Sequence, residues 1–387
     1  KEYDGQKPLF LVASLLNPHE ICEYGRHETL QYGELAPFST EECPNLPANF
    51  MPSTYAAEAL TLEHASSPRY HDTYTYTQDD WRRYLYAYYR LVERADREVG
   101  RIVGVLKAHG LYDDAAIVFL SDHGDGTAAH GWNQKWNLQE EVINVPLIVK
   151  PPKGAGLRGV RNDEALSNVG LDLYATVCDY AGVTPDPERY RGRSLRPVAE
   201  GRQATLHDKV FVETLLPGPG MRGWSVVGPR YKYVLYQWGR NREALYDLQD
   251  DPGEMVNLVV DRCYEAELNR LRRAMYDWGV RIGDPKLVRN LRPWAELRKP
   301  TRYMKNLDSV RCGVRYAAVP LTLAALAGCS EGHTRRPNII VMMTDDHTAQ
   351  AMSCYGSLLV ETPNLDRLAR EGMLFESCYV SNAISGP

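Results

Sequence analysis

The chain has 387 residues, of which 44% are hydrophobic and 25% are charged, a composition typical of a globular protein that can bury a large core. Its formal net charge of −5 gives no general attraction for nucleic acid, which argues against a nucleic-acid partner. None of the eight cysteines forms a C-x-x-C pair, and this argues against a zinc knuckle or a dithiol redox motif.

The first third of the chain predicts a strand, a long excursion and a long helix. The apolar run at 8–16 predicts a buried strand of a parallel sheet that ends at Asn17-Pro18-His19. Residues 20–77 show weak periodicity and predict a long surface excursion over the active face. Apolar residues three and four apart predict a helix over 79–109, ended by Gly110.

The next segment completes an α/β pattern over residues 1–204. The apolar runs at 115–120 and 145–149 predict two further buried strands. A helix is predicted over 167–181, with Ser167 as its N-cap and Gly182 ending it. Because ligands bind beyond the carboxyl ends of strands in such sheets, the residues after 120 are expected to carry chemistry.

Residues 205–303 predict a separate, small α+β subdomain. Short β-favouring runs joined by tight turns predict a meander, and an amphipathic segment predicts a closing helix over 265–282. The strands are predicted at 209–213, 224–227, 231–236 and 244–248.

Residues 304–329 resemble a secretory signal peptide. A basic stretch is followed by the short apolar run YAAVPLTLAALAG and then Cys329, and Leu326-Ala327-Gly328-Cys329 resembles a bacterial lipobox. A used signal implies a location in the bacterial periplasm or cell envelope, with membrane contact through a lipid anchor. A buried helix or an interdomain linker is the alternative interpretation of this segment.

Residues 330–387 read as the start of another domain. A strand is predicted at 338–343 and a short helix at 364–370, ended by Gly372. A signal peptide in mid-chain has two explanations: the tail of one protein joined to the head of another, or a true permutation of one gene. The first is favoured because the sequence after Cys329 resembles a fresh protein start.

Two predicted strands end in acidic clusters. Asp345-Asp346 follows one strand, and Asp122-His123-Gly124-Asp125 follows another. Carboxylates brought together in this way repel each other unless a cation lies between them, and Ca²⁺ or Mg²⁺ prefers such oxygen ligands. An aspartate after a strand is also a common helix N-cap, so the inference depends on the two clusters together.

Several sequence blocks resemble the formylglycine-dependent sulfatases of the alkaline-phosphatase superfamily, in permuted and incomplete order. The blocks are NIIVMMTDDH, ETPNLDRLAREG, SLLNPH, SDHGDGTAAHGWNQK and LYDLQDDPGEMVNL. The resemblance implies an α/β fold with a mostly parallel central sheet flanked by helices, and a small α+β C-terminal-type subdomain. In this interpretation 1–204 and 330–387 are the middle and the N-terminal-type parts of one catalytic domain.

The resemblance also implies a set of site residues. Ser385 matches the residue that a serine-type maturation enzyme converts to formylglycine, whose hydrate supplies one oxygen to attack sulfur and another to expel sulfate. Other residues match metal ligands, a proton donor to the leaving oxygen, a cation for a sulfate oxygen and a substrate contact. The metal ligands are Asp345, Asp346, Asp122 and His123, and a sulfate contact is the alternative for His123. The proton donor is His19, the cation is Lys135 and the substrate contact is His130.

The family pattern continues beyond Ser385-Gly386-Pro387, where this sequence ends. The arginine two residues past that proline, a following lysine and a further histidine cannot be assigned, so the chain is expected to be an impaired sulfatase. The implied substrate is a sulfated carbohydrate or a small organic sulfate. Two alternatives are a phosphodiesterase or phosphonate hydrolase of the same superfamily, and a non-catalytic lipoprotein that binds sulfated glycans.

Overall fold

The computed structural model describes residues 7–66, 72–297 and 336–383, with only the backbone at 66, 72, 74 and 293–297. The predicted signal-like segment, 304–329, therefore lies outside the described residues. Within the described ranges, every helix is too short or too polar to span a lipid bilayer.

The described residues form the following strands and helices. The strands are β1 (Phe10–Leu15), β2 (Ala115–Ser121), β3 (Leu147–Lys150), β4 (Val160–Asn162), β5 (Ser167–Asn168), β6 (Val210–Leu216), β7 (Met221–Val227), β8 (Tyr231–Tyr236), β9 (Glu243–Asp247), β10 (Asn338–Thr344), β11 (Met373–Phe375) and β12 (Cys378–Tyr379). The helices are α1 (Ile21–Gly25), α2 (Glu58–Ser66), α3 (Gln78–Ala108), α4 (Glu140–Ile143), α5 (Val169–Ala181), α6 (Arg196–Ala199), α7 (Glu265–Ile282), α8 (Pro285–Leu297) and α9 (Pro363–Glu371).

A six-stranded sheet with the order β1-β10-β2-β3-β11-β4 forms the centre of the larger domain. The pairs β1–β10, β10–β2 and β11–β4 are parallel, whereas β2–β3 and β3–β11 are antiparallel. The late segment of the chain thus supplies one central strand, β10, and a second inserted strand, β11. The predicted α/β fold with a mostly parallel sheet is confirmed.

Helix α3 covers one face of this sheet. Its apolar stripe, with Val99 and Val103, packs on Ile117 of β2 and Ile340 of β10. Thr77 begins the helix through a reciprocal cap, in which its hydroxyl accepts from the amide of Asp80 and the Asp80 carboxylate accepts from the Thr77 amide. The predicted helix over 79–109 is therefore confirmed.

Three details of the predicted elements are wrong. The strand predicted as buried is β1 at the sheet edge, where Phe10 is 58% exposed, because among the described residues it pairs only with β10. Ser167 does not cap α5, since Ser167 and Asn168 form β5 and pair with β12. Part of the predicted surface excursion is buried, because Ile21 and Cys22 of α1 pack against α3.

The second sheet is an antiparallel meander, β6-β7-β8-β9, as predicted. Helices α7 and α8 pack on it, and Leu268, Met275 and Leu287 meet Trp224 and Tyr233 in a separate core. The start of this subdomain at residue 205 stays a prediction.

Candidate metal centre and active site

The carboxyl ends of three parallel strands meet at one edge of the central sheet. Leu15 of β1 pairs with Thr344 of β10, and Thr344 pairs with Ser121 of β2. The residues after each strand therefore emerge side by side, as expected for parallel strands in register. These residues carry His19, Asp345 and Asp346, and the segment from Asp122 to Asp125.

Asp346 lies at the centre of the cluster and is fully buried. Its Oδ1 lies 3.1 Å from Nδ1 of His123 and 3.7 Å from Nζ of Lys135. Its Oδ2 lies 3.8 Å from Nε2 of His19 and accepts a 3.3 Å hydrogen bond from the thiol of Cys22. One carboxylate thus faces four groups that come from two distant parts of the sequence, residues 19–22 and 123–135.

His123 joins this carboxylate to two more. Its Nε2 lies 3.5 Å from Oδ2 of Asp122 and 3.7 Å from Oδ1 of Asp345. The side chains of Asp122 and Asp345 are 26% and 28% exposed, whereas His123 is buried. The cluster therefore opens to solvent on the side of these two aspartates.

The charges in the cluster control one another's protonation. Burial together with the charges of Asp346 and Asp122 raises the pKa of Asp345 to about 6. Burial alone would raise the pKa of Asp346, but Lys135 and His123 outweigh it and hold that pKa well below its ordinary value. Burial opposes the charged forms of His123 and Lys135, yet the facing carboxylate of Asp346 raises the pKa of both.

The donor set fits a hard divalent cation. Oδ1 of Asp345 is buried and makes no hydrogen bond among the described residues, so it remains able to act as a ligand. Two groups of candidate ligand atoms each lie within 4.8 Å of one another: Asp122, His123 and Asp345, and His19, Cys22 and Asp346. In the first group two carboxylates outnumber the one imidazole, which suits Ca²⁺ or Mg²⁺.

Asp125 organises the loop that carries Lys135. The Asp125 carboxylate is buried and accepts hydrogen bonds from the amides of Thr127 and Gln134, both at 2.7 Å, and from the hydroxyl of Tyr84 at 2.9 Å. Burial and the charge of Asp346 raise the pKa of Asp125 to about 6. Asp125 thus shapes the loop between β2 and Lys135 and is not one of the candidate ligands.

The structure brings together six of the eight site residues predicted from the sequence. His19, Lys135 and the four predicted metal ligands share the cluster, whereas Ser385 lies outside the described residues. His130 lines a different cavity of about 350 Å³, beside Leu60, Trp132 and Tyr236. No residue of the aspartate cluster lines that cavity, and the role of His130 in substrate binding stays a prediction.

Sequence reasoning missed three residues at the cluster. The thiol of Cys22 and the hydroxyl of Tyr84 donate hydrogen bonds to the carboxylates of Asp346 and Asp125, respectively. The hydroxyl of Tyr88 donates to the main-chain carbonyl of Asp346. The two tyrosines are four residues apart on α3, so they lie on one helix face, a spacing that could have indicated a shared role. No comparable pattern marks Cys22.

Comparisons with known proteins give two family matches. The family model described as Sulfatase matches residues 1–183 and 337–387, and the model described as N-sulphoglucosamine sulphohydrolase, C-terminal, matches 128–280. A Delta 4,5-hexuronate-2-O-sulfatase of Bacteroides thetaiotaomicron is 30% identical over 295 residues, which cover 72% of this chain and 58% of that protein. The chain therefore spans less than two thirds of that relative's length.

Solved structures of other proteins are also similar to this chain. The structure of a 2-O GAG sulfatase superposes with a TM-score of 0.61 at 28% identity, covering 69% of this chain and 58% of the other. A phosphonate monoester hydrolase from Silicibacter pomeroyi has a TM-score of 0.50 at 25% identity, covering 63% of this chain and 51% of the other. The first similarity is greater in TM-score, identity and coverage.

Proposed function

This chain belongs to the sulfatase family, and from that membership we propose that the complete protein hydrolyses a sulfate ester beside a bound calcium ion. The observation that supports the proposal most is the convergence of Asp345 and Asp346 with Asp122 and His123 at one sheet edge. The two pairs of residues are far apart along the chain. They meet beside a buried lysine and so form a site that can hold a cation and an anion together.

The metal would be held by Asp345, Asp346 and Asp122, with His123 between them. When bound, Ca²⁺ or Mg²⁺ would supply positive charge to a sulfate oxygen and to the attacking group. Asp122 and Asp345 are partly exposed and face the open side of the cluster, so an ion can enter from solvent on that side.

Lys135 would neutralise a second sulfate oxygen. Its side chain is only 10% exposed, and the facing Asp346 favours its charged form. A buried ammonium next to an anionic substrate stabilises charge more strongly than an exposed one, because water screens it less. We expect Lys135 to stay protonated throughout a reaction cycle.

His19 would donate a proton to the leaving oxygen. Its side chain is 25% exposed at the rim of the cluster, with Nε2 3.8 Å from Asp346 and Nδ1 3.9 Å from Glu23. An imidazole at the rim of the cluster, between the buried Asp346 and the open side, is placed to pass a proton to a leaving oxygen.

The nucleophile would be formylglycine made from Ser385 by a serine-type maturation enzyme. This part of the proposal depends on the Ser-Gly-Pro sequence at 385–387 and on family membership. For substrate, the relatives named as a hexuronate 2-O-sulfatase and a 2-O GAG sulfatase favour a sulfated glycan over a small organic sulfate. The lipobox-like sequence that ends at Cys329 supports a periplasmic or envelope location with a lipid anchor.

Calcium binding tests the metal centre directly. In calorimetric titration of the EDTA-treated chain we expect one Ca²⁺ to bind, and Asp346→Asn to weaken binding at least tenfold because a central charged ligand is lost. Asp247→Asn is the matched control, since Asp247 is also buried but bonds Arg230 in the other sheet. No Ca²⁺ binding by the wild-type chain, or equal loss in both variants, would refute the metal centre.

Turnover tests the reaction. The protein expressed from its natural gene with flanking sequence, together with a serine-type maturation enzyme, should hydrolyse an aryl sulfate to a phenol and sulfate faster than it hydrolyses an aryl phosphodiester to a phenol and a phosphate monoester. Ser385→Ala should abolish the release. Faster phosphodiester cleavage would favour the phosphonate hydrolase alternative, and glycan binding without released sulfate would favour a binding protein. Hydrolysis by the chain alone would contradict its expected impairment.

A further inference from the structure

Asp346 holds an unusual main-chain conformation. Its φ angle is +63°, in the left-handed region that non-glycine residues seldom adopt. Such a conformation is strained and persists only when neighbouring groups hold it. The conformation directs the central carboxylate of the cluster, so its support bears on the geometry of the site.

A single hydroxyl supports this turn from both sides. Tyr88 on α3 donates a 2.6 Å hydrogen bond to the main-chain carbonyl of Asp346 and accepts a 2.9 Å bond from the amide of Thr348. Tyr88 is fully buried, so water cannot replace either bond. The hydroxyl thus clamps the backbone on both sides of residue 347.

Helix α3 provides a rigid base for this clamp. One turn before Tyr88, Tyr84 bonds Asp125, so the same helix face also holds the loop that leads to Lys135. Leu91 and Val92 continue the buried face of α3 next to Tyr88. The phenol ring is therefore packed on all sides, and its oxygen has little freedom to move.

We propose that Tyr88 is a positioning residue, which holds the left-handed turn at Asp346 and so aims its carboxylate at the metal and at Lys135. The inference rests on the proposed function, because it takes Asp346 as a metal ligand. Outer groups that orient ligands typically contribute about 10- to 100-fold to metal affinity. Without its hydroxyl, the Asp346 carbonyl and the Thr348 amide would lose their partner, and the turn could relax.

The test compares the buried Tyr88 with the partly buried Tyr355 in the full chain. Tyr88→Phe removes the hydroxyl and keeps the ring. Tyr355→Phe is the matched control, because its hydroxyl also links buried main-chain groups, accepting from the Leu147 amide and donating to the Phe375 carbonyl, both at 2.8 Å. Urea unfolding without calcium should show similar destabilisation of the two variants.

Only Tyr88→Phe should bind Ca²⁺ more weakly by calorimetry, about 10- to 100-fold. Hydrogen exchange at the Thr348 amide of the wild-type chain gives a second measurement that does not require a folded variant, and Ca²⁺ should slow it. Unchanged Ca²⁺ affinity in Tyr88→Phe, equal weakening in both variants, or an unprotected Thr348 amide would overturn the positioning role. A wild-type chain that binds no Ca²⁺ would instead refute the proposed function itself.

Discussion

Lys232 is the most consequential buried charge outside the metal centre. It lies on β8 with no exposed surface, and its Nζ is 2.8 Å from Oε1 of Glu140 and 2.6 Å from Oε1 of Glu254. It also donates to the carbonyl of Leu138 at 3.0 Å. One lysine therefore joins the antiparallel sheet to the segment before β3.

Replacing this lysine by methionine keeps most of the side-chain volume and removes the charge. Glu140 retains weak bonds from Tyr379 at 3.1 Å and Asn144 at 3.2 Å, but Oε1 of Glu254 has no other hydrogen-bond donor among the described residues. Breaking a buried ion pair on one side typically costs about 3 to 5 kcal/mol, because the carboxylates left behind must carry an uncompensated buried charge or take up a proton. We expect Lys232→Met to lose free energy of unfolding in that range at pH 7.

Urea unfolding followed by tryptophan fluorescence measures this loss. Lys153→Met is the matched control, because Lys153 forms a 2.9 Å ion pair with Asp113 at the exposed surface, and its midpoint should stay near that of the wild type. Adding Glu254→Gln to Lys232→Met should recover part of the loss, since one buried carboxylate no longer carries charge. A loss below about 1 kcal/mol for Lys232→Met would refute the reasoning.

Three further predictions concern packing, proton binding and association. A Cβ on Gly124 would lie 2.0 Å from the carbonyl oxygen of Glu141, so Gly124→Ala should destabilise the chain by about 2 kcal/mol or more and weaken Ca²⁺ binding. A Cβ on Gly104 meets no atom within 4 Å, so the control Gly104→Ala should do neither. Urea unfolding and calorimetry measure the two effects, and wild-type behaviour of Gly124→Ala would contradict the expectation. Burial lowers the pKa of Lys150 to about 8, so the folded state loses this proton more easily than the unfolded state. The free energy of unfolding should therefore rise between about pH 8 and 10.5, by up to about 3 kcal/mol relative to Lys150→Met, and a constant difference between the two proteins across that range would count against it. Cutting an inserted protease site between residues 298 and 335 should leave both pieces in one complex, because β10 lies between β1 and β2 and β11 lies between β3 and β4. Size-exclusion chromatography in native buffer measures whether the pieces stay together, and separate elution would disprove the prediction.

Local pattern was sufficient for the long and strongly periodic elements. The helix α3, the meander β6–β9 and the helix α7 were predictable because each has a repeat that depends only on neighbouring residues. The acidic clusters after β2 and β10 were visible for the same reason, since each directly follows an apolar run. The family blocks indicated that both clusters belong to one site.

Only the tertiary structure decided which elements lie next to each other. It made β1 an exposed edge, inserted β10 and β11 into the sheet and reversed the direction of β3, all of which depend on pairings between residues far apart in the chain. It also placed His130 in a cavity that none of the cluster aspartates lines, and it brought Cys22 and Tyr88 to Asp346. A sequence pattern shows the hydrophobic period of one segment. The contacts of a buried polar atom depend instead on the packing of several segments at once, and that packing determined the surroundings of Asp346.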